Sequence, residues 1–433
     1  MADYYWVISF SLQSEVHAKL THLYTNATPS THPDLQMFQL LDGLKIIDLT
    51  TVVLGPYATQ ILADLGADVL KIESIEGDVF RAVRPGRRDD LGVAFMNYNR
   101  NKRAMSLDLK QDKGQQILHK LVKGADVVVH NMRARSAAQL AADYETLKAI
   151  NPELVYCYSP GFGERGPDRD APAYDDIIQA RSGLASLNAD ASGAPQFVRT
   201  IACDKVVGLH LAIAISAGVI QQQRNRKGVC IEAPMLESMT SFLMSEHLAG
   251  HTLIPEEGEL GYDRLMSKNR KPFQTSDGYL AILPYSTKHW IRFFQICQLD
   301  DWTTADKVID PALRSQHIDE LYGKIAELAV TKTTSEWLEA LREKDIPCST
   351  VSSLEDLLTD EHLLASGMYN QVSDSRVGDV REIRSPFQVN GQLDHDLKPN
   401  TIAPGLGEHT VAVLQNLGLS ADDIEALKRD AVI

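Results

Sequence analysis

Residues 44–73 read LKIIDLTTVVLGPYATQILADLGADVLKIE, and the fold follows from how that stretch divides. Leu44 to Thr50 is a short apolar run of the kind a buried strand needs. Gly55-Pro56 marks a turn, and Tyr57 to Leu65 carries apolar residues at helical spacing. Gly66 to Glu73 returns to strand character. Strand, turn, helix and strand in succession is the unit of a parallel sheet covered by helices. The alternation continues: Gln115–Lys123 reads as helix, Ala125–His130 as strand, Ala137–Ile150 as helix and Leu154–Ser159 as strand. This predicts an α/β chain with a Rossmann-like, doubly wound large domain.

Further on, Lys205–Gln223 is an apolar, alanine-rich helix, Val229–Ala233 a strand and Leu236–Ala249 a helix. Composition changes after Gly250. Gly278–Pro284 reads as a strand, and His289–Cys297 and Glu336–Lys344 as helices, which sets a small α+β domain at 262–352. Segments 251–261 and 353–359 are linkers, and 41–250 with 360–433 forms the large domain. Val372–Gly391 reads as irregular strands and Gly407–Ala431 as a closing helix pair. Residues 1–40 are an N-terminal extension, weakly ordered around Thr25–His32 and without the basic start of a signal peptide.

Forty-three basic against 58 acidic residues gives a net charge of −15 over 433 residues, which argues against nucleic acid or an anionic membrane as a general partner. The five cysteines show no paired spacing, as expected of reduced thiols in a cytoplasmic compartment. No apolar run reaches the length of a membrane span. No metal-spaced Cys/His set, HExxH, Walker lysine loop or GxSxG elbow is present, so no metal site is expected.

One acid stands out. In VRTIACDKVVGLH (residues 198–210) Asp204 is flanked by Ile201, Ala202, Val206 and Val207. Burial disfavours such a charge unless something offsets it. As the residue before Lys205 it also reads as a simple N-cap. Cys203 reads as a small buried hydrophobe and His210 as a core histidine. Gly161-Phe-Gly163-Glu-Arg-Gly166 matches GxGxxG after a strand, but Pro167 and a polar run follow where a dinucleotide site needs a helix, so it reads as a loop. The basic clusters are Arg81, Arg84, Arg87 and Arg88; Arg100, Lys102 and Arg103; Arg133 and Arg135; and Arg224, Arg226 and Lys227. Arg133 follows the end of a strand, where α/β sheets bind ligands, and together the clusters suit a phosphate-rich ligand.

From about Leu44 to the C-terminus the chain resembles the class III CoA-transferases, the CaiB/BaiF family that includes formyl-CoA transferase. The resemblance rests on Leu41-Asp-Gly-Leu-Lys-Ile-Ile-Asp-Leu-Thr, Gly55-Pro, Asp64-Leu-Gly-Ala-Asp-Val-Leu-Lys-Ile-Glu, Asn99-Arg-Asn-Lys-Arg, Gly161-Phe-Gly, Tyr174-Asp, Asp345-Ile-Pro-Cys and Leu406-Gly-Glu-His-Thr, in that order. It implies an intertwined homodimer of threaded rings, coenzyme A or acyl-CoA as substrate with no tightly bound cofactor, and a small carboxylic acid as the second substrate. It places Asp204 at the family's nucleophilic aspartate. It places Leu107, Asp108, Leu109 and Lys110, Asn131, Met132 and Arg133, and Tyr174 at CoA contacts. Arg103, Lys110 and Arg133 are expected at the phosphates and adenine, because an acidic protein must gather positive charge locally for an anionic ligand.

Three features depart from formyl-CoA transferase: Val53 replaces a glutamine, Ser74 replaces an arginine, and Leu260–Lys271 stands in place of a glycine-rich loop. They argue against formyl-CoA and oxalate as the substrate pair. The expected reaction is CoA transfer from an acyl-CoA to a carboxylic acid through an aspartyl anhydride and an aspartyl-CoA thioester. The alternatives are an α-methylacyl-CoA racemase-like isomerase and a non-catalytic CoA-binding protein. A racemase needs a second acid/base group, and the matching triplet here is Ala173-Tyr174-Asp175, whose tyrosine is a poor base near neutral pH.

Overall fold

The computed structural model describes residues 38–393 and 400–433. The extension expected at 1–40 lies outside the described residues except for its last three, of which Phe38 is buried.

Six parallel strands form the main sheet: β1 (Lys45–Asp48), β2 (Asp68–Glu73), β3 (Arg103–Ser106), β4 (Val127–His130), β5 (Val155–Tyr158) and β6 (Val229–Glu232). Their spatial order is β3-β2-β1-β4-β5-β6, with Ile46 opposite Val69 on one side and Val127 on the other. This is the doubly wound order, and its direction reverses between β1 and β4. The strands are short and apolar because helices cover both faces, so side chains pointing either way are buried.

One face carries α1 (Leu54–Asp64) and α7 (Ala202–Asn225), whose Leu54, Ala58, Leu62, Cys203, Val207, Leu211 and Ile215 share a core with Val127, Val129 and Val155. The other face carries α3 (Asp112–Val122) and the C-terminal α12 (Thr410–Asn416) and α13 (Ala421–Arg429). The intervening helices are α2 (Val93–Asn99), α4 (Ala134–Gln139), α5 (Tyr144–Ile150), α6 (Asp175–Arg181) and α8 (Met235–His247). The chain end thus returns to the sheet, where His409 N–H donates to the Ala104 carbonyl.

A separate core is built on a three-stranded antiparallel sheet, β7 (Phe273–Gln274), β8 (Tyr279–Ile282) and β9 (Cys348–Thr350). Around it pack α9 (Thr287–Ile296), α10 (Ile318–Ala329) and α11 (Thr334–Glu343), with Trp290, Phe293 and Trp337 fully buried. A hairpin of β10 (Tyr369–Asp374) and β11 (Gly378–Ile383) covers Leu91 and Phe95.

Three expectations are corrected. The single helix expected at 137–150 is two helices, α4 and α5. Ala141 between them is left-handed (φ 48°), and Asp143 caps α5 by accepting from Thr146 N–H. The helix expected from Lys205 begins at Ala202, so Asp204 lies inside its first turn and Ile201 is the N-cap. The expectation that no run reaches span length also fails. By length and composition α7 is long and apolar enough to cross a membrane, although half of its most apolar stretch is buried within the chain.

Candidate active site

Two adjoining cavities open beyond the carboxyl ends of the central strands, at the reversal point where doubly wound sheets bind ligands. The larger, about 390 Å³, is lined by Thr51, Asn131, Arg133, Ser159, Tyr174 and Asp204 among others. The smaller, about 190 Å³, lies over the ends of β2 and β3 and is lined by Ser74, Leu107, Asp108, Leu109 and Lys110. Thr51 and Met132 line both, so the two form one groove running from Lys110 to Asp204.

Asp204 is 6% exposed and sits between two helix N-termini, that of α7 and that of α1. The Leu54 backbone N–H faces its carboxylate and favours the charged form. Helix N-termini favour a negative charge, yet burial and the neighbouring Asp175 outweigh them and push the Asp204 carboxyl up to about 7. Close approach makes the Leu54 contact possible. A Cβ on Gly208 would lie 2.7 Å from the Leu54 carbonyl oxygen, so only glycine lets α7 meet the start of α1.

Asp175 opens α6. It accepts the Asp204 N–H at 3.1 Å and the Gln179 side-chain amide at 2.6 Å, tying α6 to the first turn of α7. The Asp204 N–H is therefore already engaged. Burial pushes the Cys203 thiol up to about 12, which makes it a poor nucleophile.

The turn from β1 to α1 is clamped at successive backbone groups. Asp48 accepts Thr50 N–H, and the Asn131 side chain accepts Thr51 N–H and donates to Thr51 O. Asp78 accepts Val52 N–H, and Lys71 donates to Thr50 O. Val52 is left-handed at φ 73°, a strained position for a β-branched residue, held by these partners. Behind the next turn, His130 Nδ1 accepts Met132 N–H and its Nε2 meets the Tyr156 hydroxyl, which donates to Ala142 O. That pattern assigns a neutral ring protonated on Nε2, and burial lowers its pKa to about 4.

The structure brings Asp204, Tyr174, Asn131–Arg133 and Leu107–Lys110 to the groove. Arg103 does not reach it. It opens β3 at the opposite end of the sheet and pairs with Asp68 at 2.7 Å. Three more members of the expected basic clusters are internal. Arg81 is paired with Glu73, Arg100 with Asp64 and Lys102 with Asp48, all buried. Val53 is fully buried and does not line the groove, whereas Val52 and Ser74 do. The Asn131 amide is spent on Thr51, so it acts through the turn it fixes. The Gly161–Gly166 segment is a loop, as expected, with no helix opening on it; a Cβ on Gly161 would strike Ala173. Leu260–Lys271 is tied to the small core by Arg264 on the Tyr322 hydroxyl and by Ser267 and Asn269 on Asp319, and lines neither cavity.

Sequence reasoning missed the Leu54 N–H and the supports Asp78 and His130. For His130 a signal existed: a histidine closing the apolar strand VVVH just before the site turn.

Residues 41–410 match the family described as CoA-transferase family III. The chain belongs to that family. Among curated relatives of this family III member, an acyl-CoA transferase of Fusarium pseudograminearum is 29% identical, over 98% of this chain and 94% of that one. A formyl-CoA:oxalate CoA-transferase of Rhodopseudomonas palustris is 29% identical, over 89% and 95%. The human succinyl-CoA:glutarate CoA-transferase is 28% identical, over 90% and 88%. A solved CaiB/BaiF family protein from Brucella suis superposes with a TM-score of 0.71 at 28% identity, over 87% of this chain and 99% of that one. A Mycobacterium tuberculosis protein at 24% identity and TM-score 0.74 shares the fold.

Proposed function

We propose that this family III CoA-transferase moves CoA from an acyl-CoA thioester to a carboxylic acid through covalent intermediates on Asp204. The observation that carries the reading is Asp204, a buried carboxylate beside the Leu54 N–H with no cationic partner among the described residues, whereas the groove's other buried acids, Glu73 and Asp78, are paired with Arg81 and Lys71; Arg133, Lys110 and Asp108 also line the groove. An extended, multiply phosphorylated thioester suits a two-chambered groove with a cation in each chamber.

The Asp204 carboxylate attacks the thioester carbonyl. The C–S bond breaks, CoA leaves as thiolate, and an aspartyl–acyl anhydride forms. The thiolate then attacks the aspartyl carbonyl carbon. The anhydride C–O bond breaks, the donor acid leaves as carboxylate, and an aspartyl-CoA thioester remains. The acceptor carboxylate runs the two steps in reverse and regenerates Asp204. No proton is transferred, which matches a groove with no histidine among its described lining residues. Negative charge builds on the Asp204 carbonyl oxygen in the thiolate step, where the Leu54 N–H is already placed. Apolar Leu54, Ala173 and Met235 limit water at the anhydride.

We also propose a homodimer. Leu209, Ile213 and Ile220 on α7, Ile177 on α6 and Phe242 on α8 are exposed in the single chain, large apolar side chains of the kind a partner subunit would cover.

The test is trapping during turnover with an acyl-CoA donor and acceptor acid. Hydroxylamine should modify Asp204 alone, and Asp204→Ala should lose transfer while remaining folded. Modification of another carboxylate, or near wild-type transfer in that variant, overturns the reading. Asp204-dependent α-deuterium uptake into a 2-methylacyl-CoA in D₂O would establish the racemase instead.

A further inference from the structure

A second pair of cavities lies in the small core and shares no lining residue with the groove at Asp204. One, about 250 Å³, is walled by Tyr285, Trp290 and Tyr322 and carries Arg264 and Arg314. The other, about 290 Å³, shares Arg264, Leu283 and Tyr322 with it and adds Arg270 and Lys271. No carboxylate lines either cavity, in a chain whose net charge is −15. A local run of cations without acids is the electrostatic mark of an anion site.

The two arginines are held as a binding pair would be. Arg264 is half-buried; its Nε donates to the Tyr322 hydroxyl at 3.0 Å, and its guanidinium lies 5.4 Å from the Tyr285 ring centre. That fixes the plane of the fork and leaves its two terminal nitrogens without partners among the described residues. Arg314 is 8% exposed and has only neutral acceptors: the Thr287 hydroxyl and the carbonyls of Val308 and Ile309. Its Nε–H has no partner among the described residues. Among the described residues neither arginine forms an ion pair. The carboxylate acting on Arg314 is Asp310, which is engaged in accepting Ala312 and Leu313 N–H. A buried cation whose nearest carboxylate is engaged elsewhere is costly unless an anion comes to it.

We propose that these cavities form a second binding site, for a carboxylic acid with a flat aromatic or acyl body. Arg264 grips the carboxylate in a forked hydrogen bond. Arg314 supplies the buried countercharge beneath it, and Tyr285 and Tyr322 enclose the apolar body. The site does not depend on Asp204 being the nucleophile.

The experiment is photo-crosslinking of the full chain with 4-azidobenzoate, followed by digestion and mass mapping. Adducts are expected within 262–322, competed by benzoate and retained in Asp204→Ala. Arg264→Gln should reduce their yield at low probe concentration about tenfold, the order expected for losing one charged hydrogen-bonding pair. Tyr285→Leu, at an exposed ring whose loss does not threaten folding, should reduce it as well. Adducts confined to the Asp204 groove, no adducts, or unchanged yield in both variants overturns the proposal. Competition by phenyl phosphate but not by benzoate overturns the assignment to a carboxylic acid.

Discussion

Replacing Asp204 by asparagine should make the protein more stable while removing its activity. The carboxyl is raised from 3.8 to about 7, by burial first and by Asp175 second. A carboxyl whose native pKa lies above its unfolded value contributes stability when protonated. That contribution is present below pH 3.8 and lost progressively until pH passes about 7. Three units at 1.36 kcal/mol each give a cost of about 4 kcal/mol for holding Asp204 ionised at pH 8. Asparagine carries no charge at any pH and keeps an oxygen for the Leu54 N–H. The stability difference in favour of Asp204→Asn should therefore grow by about 2–3 kcal/mol between pH 5 and pH 8. Urea unfolding of both proteins at the two pH values, with slopes compared to confirm like transitions, measures it. A difference that does not change with pH, or a variant less stable than wild type at pH 8, would refute the reasoning. On the same grounds, transfer by the wild type should rise with pH through about 7.

Three further outcomes follow from neighbouring contacts. Asp175→Asn keeps an acceptor for the Asp204 N–H but removes the adjacent charge, so the acid limb of the kcat–pH profile should move about one unit lower; an unmoved limb means Asp204 is not the titrating group. Arg133→Ala should raise the acyl-CoA KM about tenfold with kcat nearly unchanged, the signature of uniform ligand binding, and steady-state kinetics against acyl-CoA decides it. Gly208→Ala places a methyl 2.7 Å from the Leu54 carbonyl oxygen, a backbone atom that must shift, and should cost about 1–3 kcal/mol of stability and about tenfold in kcat. Equal Tm and kcat in that variant would show that the contact between α7 and α1 does not set the Asp204 geometry.

The strands were legible because burial on both faces makes VVVH and LVYCYS nearly continuous apolar runs, and no other element gives that pattern at that length. Asp204 was legible because an acid among Ile201, Ala202, Val206 and Val207 demands an explanation. Its exact place in the helix was not, since Ile201 at the N-cap offers no capping side chain to read. The helix Ile318–Ala329 went unread: it follows the helix Pro311–Gln316 with only His317 between, and its internal Gly323 imitates a breaker. Nothing in the sequence announces a left-handed alanine at 141. The basic clusters misled for a different reason. A run of arginines shows where charge lies along the chain, but Arg100 finds its acid 36 residues away and Lys102 finds Asp48 at a separation of 54. The Leu54 N–H belongs to the backbone and leaves no trace in side-chain identity.

Those interior pairs also constrain how this chain can diverge. Asp48 with Lys102, Lys71 with Asp78, Glu73 with Arg81 and Asp64 with Arg100 are all buried. A lineage that loses one member passes through a form with an unbalanced buried charge, at a cost of up to about 3–5 kcal/mol, which approaches the whole stability margin of many domains. Replacing both members by apolar residues at once carries little or no such cost. Each pair is therefore a locked step in sequence space: relatives at 28–29% identity should either retain both ions or have exchanged both, and single replacements should be rare among them.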